Sequence, residues 1–177
     1  MNAKPVFSFL HTLLFFVIVV SFSTFSSVSL AGQQTIKAEV IRVIDGLTLF
    51  VKSPESGKEY TVKLYGIDAQ PMPESKYETP PPFAQKAKEM TEKLVEKSTS
   101  ITVTKLDDRY NPTVGIVHFP VLNITLQHQL LNSGLAWVDK KTCKNFGICK
   151  TFRNIQENAK MYGHNIWSAA PPVAPDN

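Results

Sequence analysis

The sequence predicts a small, mainly β fold: a five-stranded barrel carrying three helices, in the order β-β-β-α-β-β-α-α. Three observations predict it. Three short runs of alternating apolar and polar residues follow one another with only tight turns between them. A strongly amphipathic helical stretch comes directly after the third run. Two more short strands then precede two final helical stretches.

The first strand reads from Gln34 to Asp45, with Ile36, Ala38 and Val40 set against Lys37, Glu39 and Arg42. Asp45-Gly46 turns it into a return strand, Leu47 to Lys52. Pro54 to Gly57 is a second turn, and Tyr60 to Ile67 a third strand. Asp68 to Pro82 holds Pro71, Pro73, Pro80, Pro81 and Pro82, so it can neither continue a sheet nor form a helix. Phe83 to Lys97 is helical, with Phe83, Ala87, Met90, Leu94 and Val95 on one face. Ile101 to Leu106 and Val114 to Phe119 are strands around the polar turn DDRYNP. Leu126 to Leu131 begins a short helix that ends near Gly134, a natural residue for leaving a helix. Phe152 to Tyr162 is the last helix, stopped by Gly163. Five strands with a helix after the third is the OB-fold order, a small, partly open barrel. Such barrels bind oligonucleotides or oligosaccharides on one face, but fold alone does not decide function.

The chain ends lie outside this domain, read as 36–167 after a short lead at 32–35. Met1 to Leu30 carries one charge, Lys4, and an apolar stretch from about Leu13 to Phe22. A Ser- and Thr-rich run follows, ending Ser29-Leu30-Ala31. This is the plan of a signal peptide over 1–31, with small residues before a cut after Ala31. An uncleaved membrane anchor is the alternative, although the apolar run is shorter than the roughly 18 residues a span needs. The expectation is an exported monomer, periplasmic or secreted, with no stable membrane insertion after cleavage. Residues 168–177 are rich in Pro and Ala and read as disordered.

The net charge is +4, one unit of it from Lys4. That excess is too small to demand a nucleic acid. The basic residues are uneven, however. Lys140, Lys141, Lys144, Lys150, Arg153 and Lys160 cluster late, against Glu157 alone. They make either a solvated face or a surface for a nucleic acid or another anionic polymer. The two cysteines, Cys143 and Cys149, stand in KTCKNFGICK. In an exported chain two neighbouring cysteines read as a local disulfide. A metal site would want two more soft ligands, and none is near. The crosslink would stabilise by about 2 kcal/mol for so short a loop.

Six stretches, taken in order, are similar to the staphylococcal nuclease, or thermonuclease-like, family. VIRVIDGLTLFV resembles the family's V-x-V-x-D-G-D-T-L/I/V hairpin. VKLYGIDA resembles V-R-L-x-G-I-D-A/T-P-E. PFAQKAKEM resembles P-F/Y-G-x-x-A. DDRYNP resembles D-R/K-Y-G-R, and LLNSGLAWV resembles L-V/L-x-x-G-L-A-x-V. AKMYGHNIWS resembles A-R/K-x-x-x-x-G-L/I-W with one residue inserted. The likeness runs from about Lys37 to Trp167, and the cysteine pair sits where many secreted bacterial members carry one.

The resemblance implies an OB-fold with three helices and an ancestral Ca²⁺-dependent cleavage of DNA and RNA. That chemistry needs carboxylates for the cation, a glutamate to activate water, and two arginines on the phosphate. Of the carboxylates, Asp45 and Asp68 are present as metal ligands, but the second aspartate of D-G-D-T falls on Leu47, which cannot ligate. The arginine of V-R-L falls on Lys63, which keeps the charge but not the two-point fork. The arginine of D-R-Y-G-R falls on Pro112. The glutamate falls on Pro71 without a gap. With Gln70, Pro71 and Met72 inserted it falls on Glu74, the preferred alignment. Arg109 and Tyr110 match positions near the nucleotide groove, where phosphate contact and base stacking compete with plain strand-end packing. The expectation is a domain impaired in catalysis and kept as a binding module. Two alternatives remain: a weak Ca²⁺-dependent phosphodiesterase, or a plain binder of single-stranded nucleic acid.

Overall fold

The computed structural model describes residues 34–75, 77–107 and 111–168. The leader expected over 1–31 lies outside them, as do all but the first residue of the tail expected over 168–177. Five strands make the barrel: β1 (Thr35–Asp45), β2 (Thr48–Lys52), β3 (Glu59–Leu64), β5 (Ser100–Asp107) and β6 (Thr113–Phe119). Alternation decides what each strand buries. Ala38 and Val40 point inward from β1, Leu49 and Val51 from β2, and Val62 and Leu64 from β3. Ile101 and Val103 enter from β5, and Val117 and Phe119 from β6.

The antiparallel order is β3-β2-β1-β5-β6, and a parallel pairing of β3 with β6 joins its two ends. Val62 then lies opposite Thr113 and Leu64 opposite Gly115. The barrel is therefore closed, where the strand order alone suggested a partly open one. Closure leaves no free barrel edge to template association.

Three helices cover the barrel, as expected: α1 (Pro82–Lys97), α2 (Leu126–Asn132) and α3 (Phe146–Met161). Ala84, Ala87 and Thr91 are the buried residues of α1, so its innermost stripe is small and the helix lies close to the sheet. In α2, Leu126, Leu130 and Leu131 are fully buried. Gln127 is buried beside them without penalty: its amide donates to Gly115 O (2.9 Å) and accepts from Val117 N (3.2 Å). Both α2 and α3 leave through glycine, at Gly134 (φ 65°) and Gly163 (φ 61°). The bonds Leu135 N to Leu130 O and His164 N to Ala159 O complete two Schellman turns. The turns are tied together: Ile166 N donates to Gly134 O (3.1 Å) and the Asn165 amide to Ser133 O (2.7 Å). Ile166 is thereby buried against Trp137.

Two departures from the expected elements have physical causes. The run read as one strand to Ile67 breaks at Gly66 (φ 72°). Beyond it the short β4 (Ile67–Asp68) pairs with β8 (Trp137–Val138), not with the barrel. These strands, and β7 (Ile124–Thr125), are two residues long and carry no readable period. The last helix begins at Phe146, six residues before the expected Phe152. Asn145 caps it, accepting from Ile148 N (3.1 Å), and the Cys143–Cys149 disulfide holds that first turn. Among the described residues no helix is long and apolar enough to cross a membrane.

The disulfide closes a larger joint. A Cβ on Gly66 would stand 2.8 Å from Cys143 Sγ, so only glycine lets the crosslink pack there. The Tyr65 hydroxyl accepts from Lys144 N (2.7 Å) and Asn145 N (2.8 Å). Asp139 donates its N–H to Gly66 O (3.1 Å), and its carboxylate accepts from Lys141 N (2.9 Å) and the Thr142 hydroxyl (2.7 Å). Burial pushes the Asp139 carboxyl up. The Thr142 hydroxyl, the Lys141 and Thr142 amides and the Lys141 charge outweigh it and hold the group below its ordinary 3.8. A carboxylate depressed in the folded state stabilises above its unfolded pKa, and that contribution fades as pH falls through the folded value. Denaturant unfolding of wild type and Asp139→Asn is therefore expected to show a stability gap at pH 7 that shrinks below about pH 3.8. A gap independent of pH would contradict this.

Candidate functional site

The site begins with the turn Asp45-Gly46-Leu47. Asp45 Oδ1 accepts the Leu47 N–H at 2.7 Å, a side-chain-closed turn of the kind Asp favours. A Cβ on Gly46 would stand 2.7 Å from Ala87 Cβ and 3.0 Å from Ala87 C, so the turn lies directly on α1. The buried Thr91 hydroxyl lies 3.0 Å from Gly46 O and 3.1 Å from Ala87 O, sharing its proton between them. On the other side Leu64 N donates to Leu47 O (2.9 Å). Leu47 is thus held from both flanks, and its side chain is 6% exposed.

A cleft of about 200 Å³ opens here, lined by Asp45, Leu47, Thr48, Lys63, Asp68 and Gln70 among others. Lys63 faces outward because its neighbours Val62 and Leu64 face in. Asp68 is set by the β4–β8 pairing opposite Trp137, and its Oδ1 accepts from Ala69 N (2.9 Å). Four residues singled out from sequence, Asp45, Leu47, Lys63 and Asp68, therefore share one cleft.

The other candidates do not. Glu74 is exposed in a bend and is not part of the cleft wall, whereas Pro71, the ungapped alternative, is. Pro112 is half-buried just before β6 and does not line the cleft. Arg109 and Tyr110 lie outside the described residues. Sequence reasoning missed Thr48 and Gln70. Thr48 is the residue after Leu47 in the matched hairpin, so its place was readable. Gln70 was set aside as an insertion. It proves to be cleft wall, and its Oε1 is buried without a hydrogen-bond partner among the described residues. That oxygen is an acceptor for a ligand N–H or O–H.

The residues present do not fit Ca²⁺. The ion takes six to eight oxygens. The cleft offers two carboxylates, each with one oxygen already accepting a backbone N–H. Among the described residues no group of three or more His, Cys, Asp or Glu converges. At Leu47 the wall is hydrocarbon, and the Lys63 ammonium shares the same cleft. Chemically the arrangement can place one cation, two partly engaged carboxylates and an amide oxygen around a small polar group.

The family described as staphylococcal nuclease homologue matches residues 61–169, from β3 to the end of the fold. The match therefore starts after the hairpin that carries Leu47. A Haemophilus influenzae protein called an uncharacterized endonuclease is 27% identical over 151 residues, 85% of this chain and 77% of that one. A thermonuclease of Staphylococcus hyicus is 31% identical over 147 residues, 81% of each chain.

The close seat of the turn is testable. Gly46→Ala drives a methyl into α1 and is expected to lower stability by about 1–3 kcal/mol. Gly147→Ala, whose nearest contact would be 3.7 Å away inside α3, is expected to be neutral or to stabilise by up to about 1 kcal/mol. Urea unfolding of the two variants checks the contrast.

Proposed function

The chain belongs to the staphylococcal nuclease family, and we propose that it keeps the family's barrel as an exported binding module with little or no calcium-dependent hydrolysis. One observation carries this reading: a buried leucine, Leu47, forms the cleft wall at the turn where the family's motif has an aspartate. A leucine side chain offers a cation no oxygen.

The remaining positions point the same way. Lys63 supplies a point charge in place of a bidentate guanidinium. Pro112 supplies no charge at all. An arginine stabilising phosphoryl charge is worth about 10³–10⁵ in rate, and one preorganised donor about 10²–10³. Such losses do not multiply simply, but either one is large. Export is supported by the signal-like first 31 residues and by the disulfide, which suits an oxidising compartment.

A second reading has its own observation. Asp45, Asp68 and Lys63 do share a cleft, which favours a weak phosphodiesterase. In that reading Asp45 and Asp68 would hold the cation and Lys63 or Arg109 would supply charge, but Glu74, the base it needs, stands outside the cleft wall.

Incubation with supercoiled plasmid and with single-stranded DNA, with and without 10 mM Ca²⁺, separates the two. The expected result is no cleavage above the metal-free control. Slow calcium-dependent cleavage that disappears in Asp68→Asn supports the second reading. Cleavage at an ordinary nuclease rate, lost in the same variant, overturns the first. Leu47→Asp is expected to gain what wild type lacks, a calcium-dependent rise in Tm. At tenfold excess over its dissociation constant the ion would add about 1.4 kcal/mol.

A further inference from the structure

The late basic cluster acquires a definite shape in the fold. Lys140, Lys141, Lys144, Lys150 and Arg153 are all exposed around the disulfide-held start of α3. No Asp or Glu occurs between Lys140 and Gln156. Among the described residues none of the five makes a close ion pair, and only the Lys141 charge acts on a carboxylate, that of Asp139 at the edge of the cluster. Phe146, the first residue of α3, is 77% exposed in their midst. Helical spacing sets Phe146, Lys150 and Arg153 along one face, about 10 Å from first to last.

Folding alone does not favour this arrangement. The start of a helix is its positive end, where acidic side chains stabilise and cations do not. The first turn of α3 contains no acidic residue. Lys150 and Arg153, three apart, repel one another. A bare phenylalanine at the same place contributes little to the core. The joint around Tyr65, Gly66 and the disulfide nevertheless holds this turn rigidly, with the Tyr65 hydroxyl on the amides of Lys144 and Asn145. A fixed surface of five cations, with Asp139 alone beside them, around one exposed ring suits a flexible polyanion with flat apolar groups. Cations neutralise its phosphates, and the ring stacks on a base. An anionic membrane fits less well, since one exposed ring is too little apolar area for interfacial docking.

We propose that this clamped start of α3 is a binding surface for single-stranded nucleic acid, separate from the Leu47 cleft, whose wall includes none of these residues. It deepens the binding-module reading by naming the ligand class and the place, and it fails separately from it.

Fluorescence anisotropy of a labelled 20-residue oligodeoxythymidylate, titrated with the purified protein at about 50, 100 and 200 mM salt, tests the proposal. Wild type is expected to bind, and to weaken steeply with salt. Phe146→Ala is expected to weaken binding at least about fivefold with the salt slope unchanged. Lys150→Gln with Arg153→Gln is expected to lower the slope by about 1.4, two phosphate contacts on a single strand. Circular dichroism and Tm verify that these surface variants fold. Binding lost in Lys63→Gln but kept in both α3 variants would assign the ligand to the cleft. That overturns this proposal and leaves the binding module standing. No binding at 50 mM salt, or stronger binding to heparin or phosphatidylglycerol vesicles, overturns it too.

Discussion

The seat of the Asp45-Gly46-Leu47 turn on α1 is the contact on which the site depends. Gly46 has no room for a side chain against Ala87, and the Thr91 hydroxyl fastens its carbonyl. That close contact and the bonds to Asp45 and Leu64 hold the residue after the glycine in place. In this chain that residue is Leu47, and it becomes part of the hydrophobic core as well as the cleft wall. The same geometry that would present a ligand oxygen here presents a hydrocarbon. Asp45 and Gly46 build the turn, and the residue that the turn presents to the cleft is a leucine.

A second joint adjoins the first. Gly66, Tyr65 and Asp139 gather the β3–β4 turn, the loop before α3 and the disulfide into one hydrogen-bonded cluster. It serves two surfaces at once. It fixes β4, and with it Asp68 in the cleft, and it fixes the first turn of α3 with its exposed cations. The parallel β3–β6 pairing lies next to this joint, since Tyr65 N bonds Gly115 O (3.0 Å) just past the last barrel pair. Closing the barrel and positioning Asp68 are thus consequences of the same few residues around Gly66.

Much of this was legible in the sequence, for reasons that differ by element. The barrel strands were readable because their period of two is sustained over five or more residues, as in β6. The helix α1 was readable from its 3.6-residue period, although Pro82, assigned to the preceding loop, proves to be its first residue. The two-residue strands β4, β7 and β8 were not, because a pair of residues has no period. The early start of α3 was hidden behind a Gly- and Asn-containing stretch that resembles a loop until the disulfide is placed. At the site, Leu47, Lys63, Asp45 and Asp68 were identifiable from motif order. Their convergence required the fold, because Asp68 reaches the cleft only through its pairing with β8. The position of Glu74 was not derivable, since a proline-rich insertion leaves the chain path to tertiary contacts.

A cleft that cannot hold calcium reports on this through its own amides. The N–H groups of Leu47 and Ala69 donate to Asp45 and Asp68, so an ion on those carboxylates must disturb both. The measurement is a calcium titration of ¹⁵N-labelled protein, followed by amide chemical shifts into the millimolar range. Both resonances are expected to stay where they are. A saturable shift of the two together, abolished in Asp68→Asn, would contradict it.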